Sequence, residues 1–157
     1  MVKRIAAIVG GAAGMAMLAA GIGSGAASAA PIPVYQVPAI GTAVSGLVIP
    51  SPWLVNIDAG TTATRGEVAL SAPTAPNFCS GTSAGALVRV NYLNLSRGNT
   101  GSVLVKPCPY FMDPAPTVAI ARTGSGQIVF STSIVGSGYA PLAGQPAFLG
   151  GGTLNVP

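Results

Sequence analysis

The sequence predicts an all-β protein: a small antiparallel β-sandwich of immunoglobulin-like architecture, with about seven or eight strands and one disulfide. Short segments that alternate apolar and polar residues recur along the chain, which is the pattern of half-buried strands. Glycine and proline, 22 and 14 of the 157 residues, interrupt these segments too often to allow a helix of three turns. A small β-barrel is the alternative arrangement of the same strands.

Residues 1–29 have the layout of a secretory signal peptide. Lys3 and Arg4 precede an apolar run over residues 5–22, and small residues at 27–29 offer a cleavage site. We therefore expect a secreted protein of the extracellular space or the cell envelope. The apolar run is also long enough to remain as a membrane anchor, which is the alternative, but the small residues after it favour cleavage.

The mature chain, residues 30–157, has the length of a single domain. Three prolines within residues 30–41 predict an extended arm, or an edge strand, ahead of the sandwich. The β-sandwich domain is then expected to comprise residues 42–157. No apolar stretch of the mature chain is long enough to cross a membrane as a helix, so we expect no transmembrane segment in it.

Alternation and turn residues predict three strands in the first half of the domain, at residues 42–49, 53–58 and 65–71. The third follows a turn and has Val68 and Leu70 on its apolar face. The second places every other residue on an apolar face: Trp53, Val55 and Ile57.

The middle of the chain predicts a hairpin. Residues 87–95 and 102–106 have the pattern of strands, and the residues between them have turn chemistry. Pairing these strands brings together the segments before and after the hairpin. Cys79 and Cys108, the only cysteines, flank that open end. In an oxidising compartment we expect a disulfide between them, in preference to a catalytic or metal-binding cysteine.

The last third of the chain predicts a second hairpin and a final strand. Residues 117–122 and 127–133 are expected to pair through the turn sequence Thr-Gly-Ser-Gly. The final strand is expected from residues 147–149 and 153–156, with three glycines breaking it. The apolar residues of the second hairpin are expected to face inward: Val118, Ile120, Ile128 and Phe130.

Charged side chains are rare, with seven basic and three acidic residues in the whole chain. The basic residues are scattered singly, and phosphate-backbone binding needs clustered cations, so no nucleic-acid partner is expected. A surface this poor in charge is typical of secreted proteins from an alanine- and glycine-rich proteome. The alternative is a surface that adheres to apolar material or to copies of itself.

The chain contains no histidine, which excludes a Ser-His-Asp hydrolase and imidazole metal sites. We expect no catalytic residues, no metal and no cofactor. Asp58 and Glu67 are the one acidic couple that a hairpin could bring together for glycosidase chemistry. We instead expect two solvated residues at strand ends, with Arg65 nearby. A hydrolase that uses Ser or Tyr with Lys106 or a carboxylate is a further alternative.

The candidate binding residues are Tyr110, Phe111 and Met112. They lie in a loop that Cys108 and neighbouring prolines constrain, and a pre-ordered loop loses little entropy on binding. The alternative role for these aromatic side chains is to cap one end of the core. Tyr139, in a later loop, is a second candidate.

Our first functional hypothesis is a non-catalytic secreted β-sandwich of the bacterial envelope or extracellular space, which binds a protein, a glycan or an apolar surface through end loops. The second is a self-associating surface coat protein of low charge, so we expect a monomer or weak self-association. The composition resembles that of secreted actinobacterial proteins. Trp53 precedes both cysteines, so the immunoglobulin cysteine–tryptophan–cysteine pattern is absent. Asn94 begins a glycosylation sequon, which we discount in a bacterial protein.

Overall fold

The computed structural model describes residues 29–44 and 49–157. The signal-peptide and anchor predictions fall on residues 1–29, which lie outside the described residues apart from Ala29. The described part is all-β, as predicted, with one short 3-10 helix at Pro76–Ser80. Its strands are β1 (Pro31–Ile32), β2 (Val34–Val37), β3 (Ala39–Val44), β4 (Pro50–Val55), β5 (Asp58–Thr61), β6 (Val68–Ser71), β7 (Ala86–Asn94), β8 (Thr100–Val105), β9 (Val118–Ala121), β10 (Gly126–Gly136) and β11 (Gly150–Val156).

These strands form three antiparallel sheets that do not close into a barrel, which confirms the sandwich over its alternative. One sheet has the order β1-β5-β6-β9, the second has the order β2-β11-β10-β7-β8, and the third is the pair β3-β4. Buried residues of all three sheets form a common hydrophobic core. Trp53 is its largest member, stacked 6.1 Å from the Phe78 ring and donating its indole N–H to Thr74 Oγ1 at 2.8 Å.

Residues 31–37 close one side of the sandwich by running from one sheet into the other. β1 pairs with β5 at the edge of the four-stranded sheet, and β2 pairs with β11 at the edge of the five-stranded sheet. The side-chain amide of Gln36, in β2, accepts a hydrogen bond from the Ile57 N–H at 2.8 Å and donates one to the Ile57 carbonyl at 2.9 Å. At Ile57 this amide takes the place of a neighbouring strand. The single strand expected over residues 53–58 is therefore divided into β4 and β5.

The central hairpin is confirmed. β7 pairs with β8 in antiparallel register, with Val88 and Val90 buried and Arg89 exposed. The predicted disulfide joins Cys79 to Cys108 across its open end, with a Cα–Cα distance of 5.4 Å. The bridge therefore holds the 3-10 helix against the segment that follows β8.

The second predicted hairpin is wrong, because β9 and β10 belong to different sheets. β9 pairs with β6, whereas β10 lies between β7 and β11 and has no free edge to offer. Ile128 and Phe130 are buried as expected, but Val118 and Ile120 are about half exposed, and small alanines face the core from β9 instead. Gly124, at φ 74°, makes the sharp turn that carries the chain across.

The glycines at 150–152 do not break the final strand; they begin it. β11 runs without interruption to Val156, paired on both sides. A Cβ at Gly151 would lie 2.9 Å from the Phe130 carbonyl oxygen, and one at Gly152 would lie 2.8 Å from Gln36 Cβ. Glycine is needed here because the neighbouring backbones approach closely, and not because a turn is formed.

Asn94 locks the far end of the central hairpin. Its side chain is completely buried, and its amide nitrogen donates to the carbonyl oxygens of Thr123 at 2.8 Å and Ser125 at 3.1 Å. Its amide oxygen accepts from the N–H groups of Ser96 at 2.8 Å and Arg97 at 3.0 Å. One side chain thus ties the β7–β8 turn to the crossover between β9 and β10.

Candidate functional site

Three loops meet at one end of the sandwich, which we call the loop end: residues 72–85, 106–117 and 137–149. They meet because β6, β8 and β10 all finish at this end of their sheets. A backbone hydrogen bond of 3.2 Å from the Ser137 N–H to the Gly85 carbonyl joins the first loop to the third. The disulfide joins the first to the second.

The loop that contains the predicted binding residues is organised by Lys106. The half-buried ammonium donates to the carbonyl oxygens of Phe111 at 3.0 Å and Asp113 at 2.8 Å, and the Lys106 N–H bonds the Pro116 carbonyl at 2.8 Å. Asp113 Oδ1 accepts from the Ala115 N–H at 2.8 Å. Charge-assisted hydrogen bonds of this kind are stronger than neutral ones. The loop is therefore held in one shape before any partner arrives.

This shape presents Tyr110 and Met112 to solvent and turns Phe111 inward. Tyr110 is 96% exposed and Met112 80%. Phe111 is half-buried, with its ring over Gly85, where an added Cβ would lie 2.6 Å from Phe111 Cζ. Phe111 therefore supports the loop, whereas its two neighbours are free to touch a partner.

The third loop lies beside the second. The same Cβ added at Gly85 would also lie 2.6 Å from Ala140 Cβ, so Ala140 and Phe111 converge on one point. Next to Ala140, Tyr139 is 67% exposed and Leu142 81%. The structure thus gathers all four predicted residues at one end and adds Leu142. In the sequence, Leu142 stands out as a large apolar residue in a glycine- and proline-rich segment. This pattern does not indicate whether the Leu142 side chain is exposed.

The three loops of the loop end carry few charges, and the exposed Asp58 lies beside them at the start of β5. The three loops contain only Lys106 and Asp113 as charged residues, and both are engaged in the bonds described above. Three arginines lie at the opposite end of the sandwich, on the turns after β5, β7 and β9. A hydrogen bond of 2.8 Å from the Gly124 N–H to the Gly66 carbonyl joins the first of these turns to the third. We call this end of the sandwich the arginine end; its cations are Arg65, Arg97 and Arg122.

The acidic couple considered for glycosidase chemistry is not assembled. Asp58 begins β5 opposite the last residue of β6, whereas Glu67 precedes the first, so the two carboxylates lie at opposite ends of the pair. Glu67 forms an ion pair of 3.1 Å with Arg122. Within residues 29–44 and 49–157, no group of three potential metal-ligating side chains comes together.

Two open grooves lie on the sides of the sandwich, and one of them reaches residues 113–116 of the loop end. One is lined by Tyr35 of β2 with polar residues of β10 and β11. The other runs between β8 and β9 and is lined by Leu104, Val118 and Ile120. Pro114 and Pro116 line the end of this groove that is nearest the loop end. This second groove separates the free edges of the five-stranded and four-stranded sheets.

No protein-family model matches this chain, and comparison with curated proteins and with solved structures likewise found no match. Among the described residues, no helix is both long and apolar enough to traverse a membrane.

Proposed function

We propose that this chain is a secreted, non-catalytic β-sandwich that binds or adheres through its loop end. The observation that carries the proposal is the set of large side chains that project from two pre-ordered loops without covering any part of their own domain: Tyr110, Met112, Tyr139 and Leu142. A rigid scaffold that presents such loops is the usual arrangement of a recognition site.

Secretion is supported by the disulfide, because structural disulfides form and persist in oxidising compartments. The signal-like sequence of residues 1–29 agrees with this location. A non-catalytic role is supported by the positions of the carboxylates, since Asp58 and Glu67 lie at opposite ends of their strand pair and Asp113 is engaged within its own loop.

The proposal is tested by thermal shifts of the mature chain against soluble oligosaccharides, short peptides and short-chain lipids. A ligand at about 100 times its Kd stabilises the folded state by about 2.7 kcal/mol, or about 10 °C in Tm. We expect the double variant Tyr110→Ala, Met112→Ala to lose this shift. Both side chains are exposed, so the variant should fold normally.

The matched control is Tyr35→Ala, which removes another exposed tyrosine (76%) from edge strand β2, outside the loop end. This control should retain the full shift. If the double variant binds as well as the native chain, or if the control alone loses binding, the loop end is not the binding surface.

Self-association is a second candidate function, favoured by the free edges of β8 and β9. β1 and β2 occupy the opposite side, but among the described strands β8 pairs only with β7, and β9 only with β6. Unpaired edges flanked by apolar side chains are templates for strand addition by another copy. This candidate predicts oligomers in light scattering that Val118→Lys disperses, while a monodisperse native monomer contradicts it.

A further inference from the structure

We propose that the loop end docks onto an uncharged lipid surface, with Met112 and Leu142 inserted among the acyl chains and Tyr110 and Tyr139 at the level of the headgroups. The inference rests on the proposed function and names the class of partner that the loop end takes.

The shape of the loop end favours a lipid layer over a small ligand or a protein groove. The four side chains project outward from two neighbouring loops, each at least two-thirds exposed, and none of them lines either of the two side grooves. Small-molecule sites are concave and bury most of their ligand. Projecting apolar tips need a partner that deforms around them, as a fluid lipid layer does.

The chemistry of these side chains matches the layers of a lipid surface. Met112 and Leu142 are apolar throughout, so their exposure to water is unfavourable until they are buried in an apolar phase. Tyr110 and Tyr139 combine an apolar ring with a phenol, and tyrosine is enriched where apolar and aqueous regions meet. Each of the two loops presents one tyrosine and one apolar side chain of this set, and the third loop adds the exposed Phe148 and Leu149.

The polar groups of the loop end favour neither anionic lipids nor sugars. Lys106 and Asp113, the charged residues of the three loops, are bonded to backbone groups, and the exposed charge beside them, Asp58, is an acid that does not attract anionic headgroups. Three of the four arginines of residues 30–157 lie at the opposite end, and the fourth, Arg89, is exposed on the strand β7 and not in the three loops. Gln145 has an amide suited to sugar hydroxyls, but this side chain donates to the Ile134 carbonyl at 2.8 Å instead.

The experiment measures binding of the mature chain to sedimented phosphatidylcholine vesicles, alone and with phosphatidylglycerol added. We expect binding to both, and Met112→Ser and Leu142→Ser each to weaken partitioning by about tenfold, since each removes one inserted apolar side chain. The matched control is Leu95→Ser, which removes an exposed leucine from the arginine end and should bind as the native chain does. Because all three side chains are exposed, thermal melting should be unchanged.

Four results would overturn the inference. The first is an absence of vesicle binding, and the second is an equal loss in Leu95→Ser. The third is binding that requires phosphatidylglycerol and is lost in Arg97→Gln, which would assign docking to the arginine end. The fourth is loop-dependent oligomers without vesicle binding, which would make a second copy the occupant. A soluble ligand that shifts Tm through Tyr110, with no vesicle binding, rejects the lipid partner and leaves the proposed function standing.

Discussion

Replacing Cys79 and Cys108 together by serine is expected to lower the free energy of unfolding by about 3–4 kcal/mol, from the chain entropy that the bridge removes from the unfolded state. The two residues are 29 apart in sequence, so the bridge closes a long loop. That loss is a large fraction of the stability of a domain of this size. Urea denaturation of the double variant against the native chain measures it.

The same change should loosen the loop end more than the sheets. The bridge holds the loop of Tyr110 to the 3-10 helix, whereas β10 is paired on both sides and does not depend on it. Hydrogen exchange should therefore speed up across residues 107–116 before it does in β10. Reductant provides the control, because it should destabilise the native chain and leave the serine variant unchanged. Identical unfolding midpoints for the native chain with and without reductant would contradict the prediction.

Replacing Asn94 by alanine is expected to destabilise the fold by about 3 kcal/mol, since buried backbone groups left without a partner cost about 1–3 kcal/mol each. The side chain satisfies two carbonyls and two N–H groups, and alanine replaces none of these bonds. Asn94→Asp should be similarly harmful, because a carboxylate cannot donate to the carbonyls of Thr123 and Ser125. Urea denaturation measures both variants.

Asn91→Ala is the matched control for this prediction. Asn91 lies on the same strand but is exposed, and its side chain makes one long bond of 3.5 Å to Ser131 Oγ. Surface changes of this kind usually alter stability by less than about 0.5 kcal/mol. Equal stabilities for the Asn94 and Asn91 variants would show that the buried network is not important. Because the Asn94 amide nitrogen is buried and already donates twice, the sequon is closed to glycosylation in the folded chain.

The comparison of β7 with β9 shows what local patterns can and cannot predict. In β7 the alternation of large apolar residues with Arg89 and Asn91 correctly identifies the buried face. In β9 the large residues Val118 and Ile120 are the ones left half exposed, because the chain crosses between sheets before β10 and small alanines fit the crowded core. The turn sequence between β9 and β10 correctly predicts that the chain reverses direction. The sheet that the chain then enters depends on Asn94, about thirty residues earlier.

The candidate site, like the strands, can be predicted from the sequence only in part. Proline and cysteine residues are enough to mark the loop of Tyr110 as constrained, but they leave open whether its aromatic side chains are exposed or cap the core. Its support by Lys106, the inward turn of Phe111 and the proximity of Leu142 are not predictable from the sequence, because each depends on contacts that fold and sheet order create.

Residue order alone was enough for the all-β class, the central hairpin and the disulfide, because period-two alternation, turn chemistry and cysteine spacing act over short distances along the chain. Only the tertiary structure assigned the strand partners outside the central hairpin, placed residues 31–37 in two different sheets, and separated an apolar loop end from an arginine end. These features depend on which distant segments pack together, and packing is selected by the whole core at once, not by any local run of residues.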